Sequence, residues 1–121
     1  MESNQNENAK HNIQYAQQVW KSSSKFISIK EGESATLKFM PELENGVVVK
    51  DDTYMGEVTG KKTFYKAVEV SSPNTEVRTF KANRRSSELI NDQLMEGNTL
   101  LQISREGNGK DTIYRPSIPD R

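Results

Sequence analysis

The sequence predicts one mainly β domain, a five-stranded barrel with a single helix between strands 3 and 4. Three observations lead there. Ser34 to Met40 alternates cleanly, with Ala35, Leu37 and Phe39 on one side and Thr36, Lys38 and Met40 on the other, as a half-buried strand does. Leu100 to Tyr114 reads as a terminal hairpin. In it Leu101, Ile103 and Arg105 fall at period two, Thr112 and Tyr114 do so on the return, and Glu106-Gly107-Asn108-Gly109-Lys110 tolerates the positive φ of a tight reversal. Just upstream, Ser86 to Met95 reads as one short helix, with Leu89, Ile90 and Leu94 along one side.

The elements follow in order. Met1 to Gln18 holds four Asn and four Gln and little to bury, so it cannot offset its ordering entropy and reads as a disordered or loosely helical leader. Ala16, Val19 and Trp20 line one side of a possible short helix, which Ser22-Ser23-Ser24 breaks. Trp20, the single tryptophan, is either a cap on the edge of the core or a base-stacking residue. Phe26-Ile27-Ser28-Ile29 leads into the turn Lys30-Glu31-Gly32-Glu33, and Pro41 ends the strand that begins at Ser34. Gly46 to Lys50 is a short β-type run before Asp51-Asp52 and Tyr54. Thr63 to Val70 and Thr75 to Ala82 form a hairpin around Ser71-Ser72-Pro73-Asn74, although Val77 and Phe80 share a face only if the strand bulges. Ser86 or Ser87 is the expected helix N-cap, Glu88 is placed in the first turn, and Gly97 is the expected residue past the C-terminus. The domain is expected over residues 19–116, with a tail at 117–121.

Strand, strand, strand, helix, strand, strand is the order of an OB-fold, in which the helix plugs one end of a five-stranded barrel.

Composition narrows the function. The hydrophobic fraction of 32% implies a small core. There is no cysteine, hence no disulfide, thiolate nucleophile or thiolate metal site. The one histidine, His11, lies in the polar leader, without a second imidazole to complete a metal site or a nucleophile–base pair. Asp51-Asp52 reads as an exposed acidic turn rather than a divalent-ion site, and Glu106-Gly107-Asn108-Gly109 lacks the Lys-Ser/Thr ending of a phosphate loop. No enzyme activity, cofactor or metal is expected. No apolar run approaches a membrane span and no signal peptide opens the chain, so a soluble cytoplasmic protein is expected. Net charge is zero but unevenly spread: Glu31 to Glu57 has two Lys against seven Asp/Glu, and Lys61 to Arg85 has seven Lys/Arg against two Glu.

A single strand of nucleic acid is bound by cations along a groove with flat aromatic faces between them. Lys61, Lys62, Phe64, Tyr65 and Lys66 interleave both, and Arg78, Phe80 and Lys81 follow on the paired strand. Tyr54 is placed in a loop that closes over a base, and Arg84, Arg85 and Arg105 are candidate phosphate contacts. Tyr65 is the expected stacking residue. Phe64 lies on the opposite face by period two, and Phe64 and Phe80 are expected chiefly in the core. Arg105 is divided between phosphate and an internal acid such as Asp111. Tyr114 is expected to be structural.

Trp20-Lys21, Phe26 to Ser34, and Ile103 to Tyr114 resemble single-stranded DNA-binding proteins of phage and archaeal type. The likeness spans roughly Trp20 to Pro116. It departs from the family in having no cysteine cluster for zinc and no acidic C-terminal tail for partner recruitment. The resemblance implies sequence-tolerant binding of single-stranded DNA in replication, recombination or repair, without catalysis. RNA binding, and a protein-interaction or accessory module on the same scaffold, stand as alternatives, the latter motivated by the zero net charge and the acidic Glu31–Glu57 segment.

Overall fold

The structure is a computed structural model and describes residues 8–14, 16 and 25–119. Residues 8–14 are helical and exposed. The domain consists of β1 (Ser34–Phe39), β2 (Val47–Tyr54), β3 (Glu57–Glu69), β4 (Arg78–Ala82), α1 (Arg84–Met95), β5 (Leu100–Glu106) and β6 (Ile113–Ser117). All pairings between these strands are antiparallel. The strands run in the order β2-β3-β1-β5-β6, with β4 on β3, and the sheet curls into a half-barrel. Trp20 lies outside the described residues.

The sheet has six strands where the sequence predicts five, and α1 follows the fourth strand instead of the third. The added strand is β2. It lies end to end with β1 along one edge of β3: Phe39 is paired with Ala67 and Val47 with Tyr65. Residues 40–46 fold back between the two strands. At each end of that loop a backbone bond returns to Lys66: Met40 N–H donates to its carbonyl at 2.9 Å, and its N–H donates to Gly46 O at 2.9 Å. Glycine is required at 46 because a Cβ there would stand 2.5 Å from the Met40 carbonyl oxygen.

The alternation of β1 is as the sequence predicts, with Ala35, Leu37 and Phe39 buried. Leu101 and Ile103 of β5 join them, as do Ile27 and Ile29 of the segment before β1 and Ile90 of α1. That early segment runs parallel to β4, where Ile27 N–H donates to Thr79 O and Thr79 N–H donates to Lys25 O. Tyr65, Phe39, Phe80 and Tyr114 form, in that order, a chain of edge-to-face rings with successive centroids 5.4, 6.2 and 4.9 Å apart. Tyr114 is thus structural, packed on Phe80.

α1 starts earlier than expected. Its N-cap is Asn83, whose side-chain oxygen accepts from Ser86 N–H at 3.0 Å. Ser86 and Ser87 lie inside the helix and are buried, and Ser86 Oγ accepts from Tyr114 N–H at 2.8 Å, tying the helix to β6. Glu88 falls beyond the first turn and pairs with Arg84 at 3.2 Å. Gly97 has φ 88°, the left-handed geometry expected of it. β4 begins at Arg78, so Val77 stays outside the strand and Phe80 needs no bulge.

Candidate nucleic-acid interface

β3 is the strand on which the site is built. From Thr63 onward its residues alternate: Thr63, Tyr65 and Ala67 are buried, while Lys62, Phe64 and Lys66 are half-buried on the outer side. Residues opposite one another on paired strands share a face. Val48 lies opposite Phe64, Lys50 opposite Lys62, Lys81 opposite Phe64 and Thr79 opposite Lys66. The outer face of β2–β3–β4 therefore carries Lys50, Lys62, Lys66 and Lys81 around one aromatic ring. Lys50 Nζ stands 5.3 Å from the centroid of Phe64.

This face opens into a cleft of about 470 Å³. Lys62, Phe64 and Lys81 line it from β3 and β4, the segment from Phe26 to Ile29 from before β1, and Arg105, Gly109, Thr112 and Tyr114 from the last hairpin. Phe26 and Phe64 also line a smaller neighbouring hollow of about 370 Å³ that contains Lys50 and Lys66. The two rings stand where the hollows adjoin, with cations on both sides. That arrangement suits a flexible chain of alternating phosphates and flat bases.

The loop that forms the cleft's far rim is held from within. Arg105 Nη1 donates to Ile29 O at 2.9 Å and Nη2 to Asn108 Oδ1 at 3.4 Å; Asn108 Nδ2 donates to Glu31 Oε2 at 2.5 Å. Gly107, at φ 77°, allows the turn: a Cβ would meet the Asp111 carbonyl oxygen at 2.5 Å. Arg105 is thus anchored by a carbonyl and an amide rather than by Asp111, and it still lines the cleft.

Several expected site residues lie elsewhere. Tyr65, the expected stacking residue, is 1% exposed. Its hydroxyl donates to Asn91 Oδ1 at 2.7 Å, and burial raises its pKa above the ordinary 10.0. A ring closed off on both sides has no face for a base. Phe80 is equally buried, in keeping with the core reading. Arg78 points inward and pairs with Glu69 at 2.8 Å, so it is not a phosphate contact. Lys61 projects from the other side of the β2–β3 hairpin and pairs with Asp51 at 3.6 Å. Lys66 stays on the outer face, lining the smaller hollow, with its Nζ donating to Glu44 O at 2.8 Å. Arg84 and Arg85 are exposed at the start of α1, away from the cleft lining. Tyr54 is 71% exposed at the hairpin end, where Met55 and Gly56 make the reversal at φ 52° and 81°. It lines neither hollow.

Phe26 and Lys50 are the residues that sequence reasoning misses. Phe26 was open to inference, because burying Ile27 and Ile29 turns Phe26 the other way. Lys50 joins the face only through its register with Lys62, which no local pattern announces.

Among the described residues no helix is long and apolar enough to cross a membrane. Comparison with protein-family models, curated proteins and solved structures finds no match to this chain.

Proposed function

We propose that this protein binds single-stranded DNA in a sequence-tolerant manner, as a non-catalytic component of replication, recombination or repair. The half-barrel is taken as an OB-fold in which β1 and β2 together replace one long first strand. On that count the strands before the helix number three, and the outer β3–β4 face and the β5–β6 loop are the usual ligand surface of the fold. The observation that carries the proposal is the outer face of β3: Lys62, Phe64 and Lys66 in alternation, with Lys81 across from the ring and Phe26 beside it. Phe26 and Phe64 are the stacking surfaces; Lys50, Lys62, Lys81 and Arg105 are the phosphate contacts. The resemblance of the Trp20–Pro116 stretch to phage and archaeal single-strand binders supports the same reading.

The test is fluorescence anisotropy with a labelled oligothymidine of about 20 nucleotides, long enough to cover one OB domain. It is repeated at three salt concentrations, with a duplex and an oligouridine as controls. Expected is binding to the DNA strand that weakens with salt, log affinity falling by about 0.7 per phosphate contact for each unit of log salt. Equal affinity for duplex, or none for the strand at micromolar protein and low salt, overturns the proposal. Tight binding to oligouridine alone moves it to RNA.

A further inference from the structure

Two ion pairs on the β2–β3 hairpin are alike in composition and different in position. Lys61–Asp51, at 3.6 Å, lies on the side of the hairpin away from the cleft, and its side chains are 72% and 53% exposed. Lys62–Asp52, at 3.7 Å, lies on the cleft side, and its side chains are 28% and 35% exposed. Lys62 also faces Lys50 directly across the strands. Like charges in that position repel. The two lysines have turned apart, Lys50 to the Phe64 ring and Lys62 to Asp52. Asp52 stands two residues nearer the hairpin end than Lys50 and does not line the cleft that Lys62 lines. Lys62 and Asp52 together line a further hollow, of about 660 Å³, so Lys62 stands between the cleft and its carboxylate partner.

Resting on the single-strand reading above, we propose that Asp52 is an internal competitor for the phosphate: it holds Lys62 in the unliganded protein, and the bound strand displaces it. A phosphate placed between Lys50 and Lys62 relieves their repulsion and supplies Lys62 with an anion. It must first replace one that is already there. Asp52 therefore sets a lower affinity than the cations alone allow. It also lowers the salt dependence, because a lysine leaving a carboxylate frees fewer bound ions than a lysine leaving solution. The Asp51 carboxylate has the same charge and nearly the same distance to its lysine, yet its effect on both is expected to be the smaller.

The experiment compares Asp52→Asn, Asp51→Asn, Lys62→Gln and Asp52→Asn/Lys62→Gln for oligothymidine affinity across salt. Asp52→Asn should tighten binding about 2- to 5-fold, the scale of one partly exposed ion pair, and steepen the salt slope by up to about 0.7. Asp51→Asn should give less than half of that gain. In the Lys62→Gln background Asp52→Asn should have no effect beyond that of Asp51→Asn. Equal gains from Asp51→Asn and Asp52→Asn, or an undiminished gain without Lys62, overturn the competitor role while leaving strand binding in place. Absence of binding by the unsubstituted protein overturns both.

Discussion

Phe64 and Tyr65 are neighbours in β3 with opposite surroundings. Tyr65 is closed in by Phe39 and by α1, with its hydroxyl on Asn91. Phe64 lies half-buried under Lys50 and opposite Lys81, in the cleft wall. In a strand the immediate neighbours of a residue report on the opposite face, and residues two away report on its own. Lys62 and Lys66 are solvent-facing, but by parity they belong to Phe64. Reading them as evidence for an exposed Tyr65 assigns the ring to the wrong side. The contrast divides β3 into a face that holds the fold together and a face that lines the cleft.

Substitution should separate the two faces. Tyr65→Ala should cost about 3–5 kcal/mol in urea unfolding, the usual loss for an aromatic removed from a core. Arg78→Ala should cost about 2–4 kcal/mol, since it strands Glu69 in a mostly buried position that keeps some contact with water. Neither change should alter the salt slope of strand binding by the remaining folded protein; if either does, the inner face is not merely structural. Phe64→Ala should do the reverse. It should weaken oligothymidine binding by about 1–3 kcal/mol, roughly 5- to 150-fold, at nearly unchanged stability. A stability loss as large as that of Tyr65→Ala would erase the distinction between the faces. Lys81→Gln should lower the salt slope by about 0.7 while leaving unfolding untouched.

The smallest effect concerns pH. Tyr65 has its pKa raised by burial, so the folded state holds the phenolic proton more tightly than the unfolded chain. Its stabilising contribution is complete below the ordinary value of 10.0 and is lost as pH rises towards the folded value. Tyr65→Phe should remove that part of the alkaline decline. It should also cost about 1 kcal/mol at neutral pH through the lost bond to Asn91. Urea titrations at neutral and alkaline pH measure both.

Much of the fold could be read from local pattern. The alternation of Ser34–Phe39, the positive φ at Gly107 and Gly109 in the last hairpin, and Gly97 past the helix each depend on a few adjacent residues and are where expected. The expected Glu106–Lys110 reversal, however, runs on through a 3-10 turn at Gly109–Asp111 and leaves Thr112 outside the return strand. What escaped depends on partners far along the chain. Arg78 is polar in sequence but buried, because Glu69, two residues beyond its register partner Ala67 on β3, accepts its guanidinium. Ser86 looks like a cap, yet its hydroxyl serves Tyr114, and Asn83 caps instead. β2 extends beyond the β-type run because its Lys-Asp-Asp stretch is matched against Lys61 and Lys62. Of the thirteen residues expected at the site, Lys62, Phe64, Lys81 and Arg105 meet at the cleft. Composition finds such a surface, but only the register decides which side chains share it.

Beyond Lys50 and Lys62 the β2–β3 hairpin is an appendage rather than a wall. Its β3 half from Glu57 to Lys61 is exposed throughout, so its length is not fixed by the packing of the barrel. Two residues added to each strand would preserve every facing relationship and extend the reach by about 7 Å, at roughly 3.4 Å per residue. One residue added to each would turn the new portion over, exchanging which of its side chains look towards the cleft. The hairpin is therefore a ruler graduated in pairs. Length variants in even steps should leave both the melting temperature and the cleft's affinity for oligothymidine where the barrel sets them.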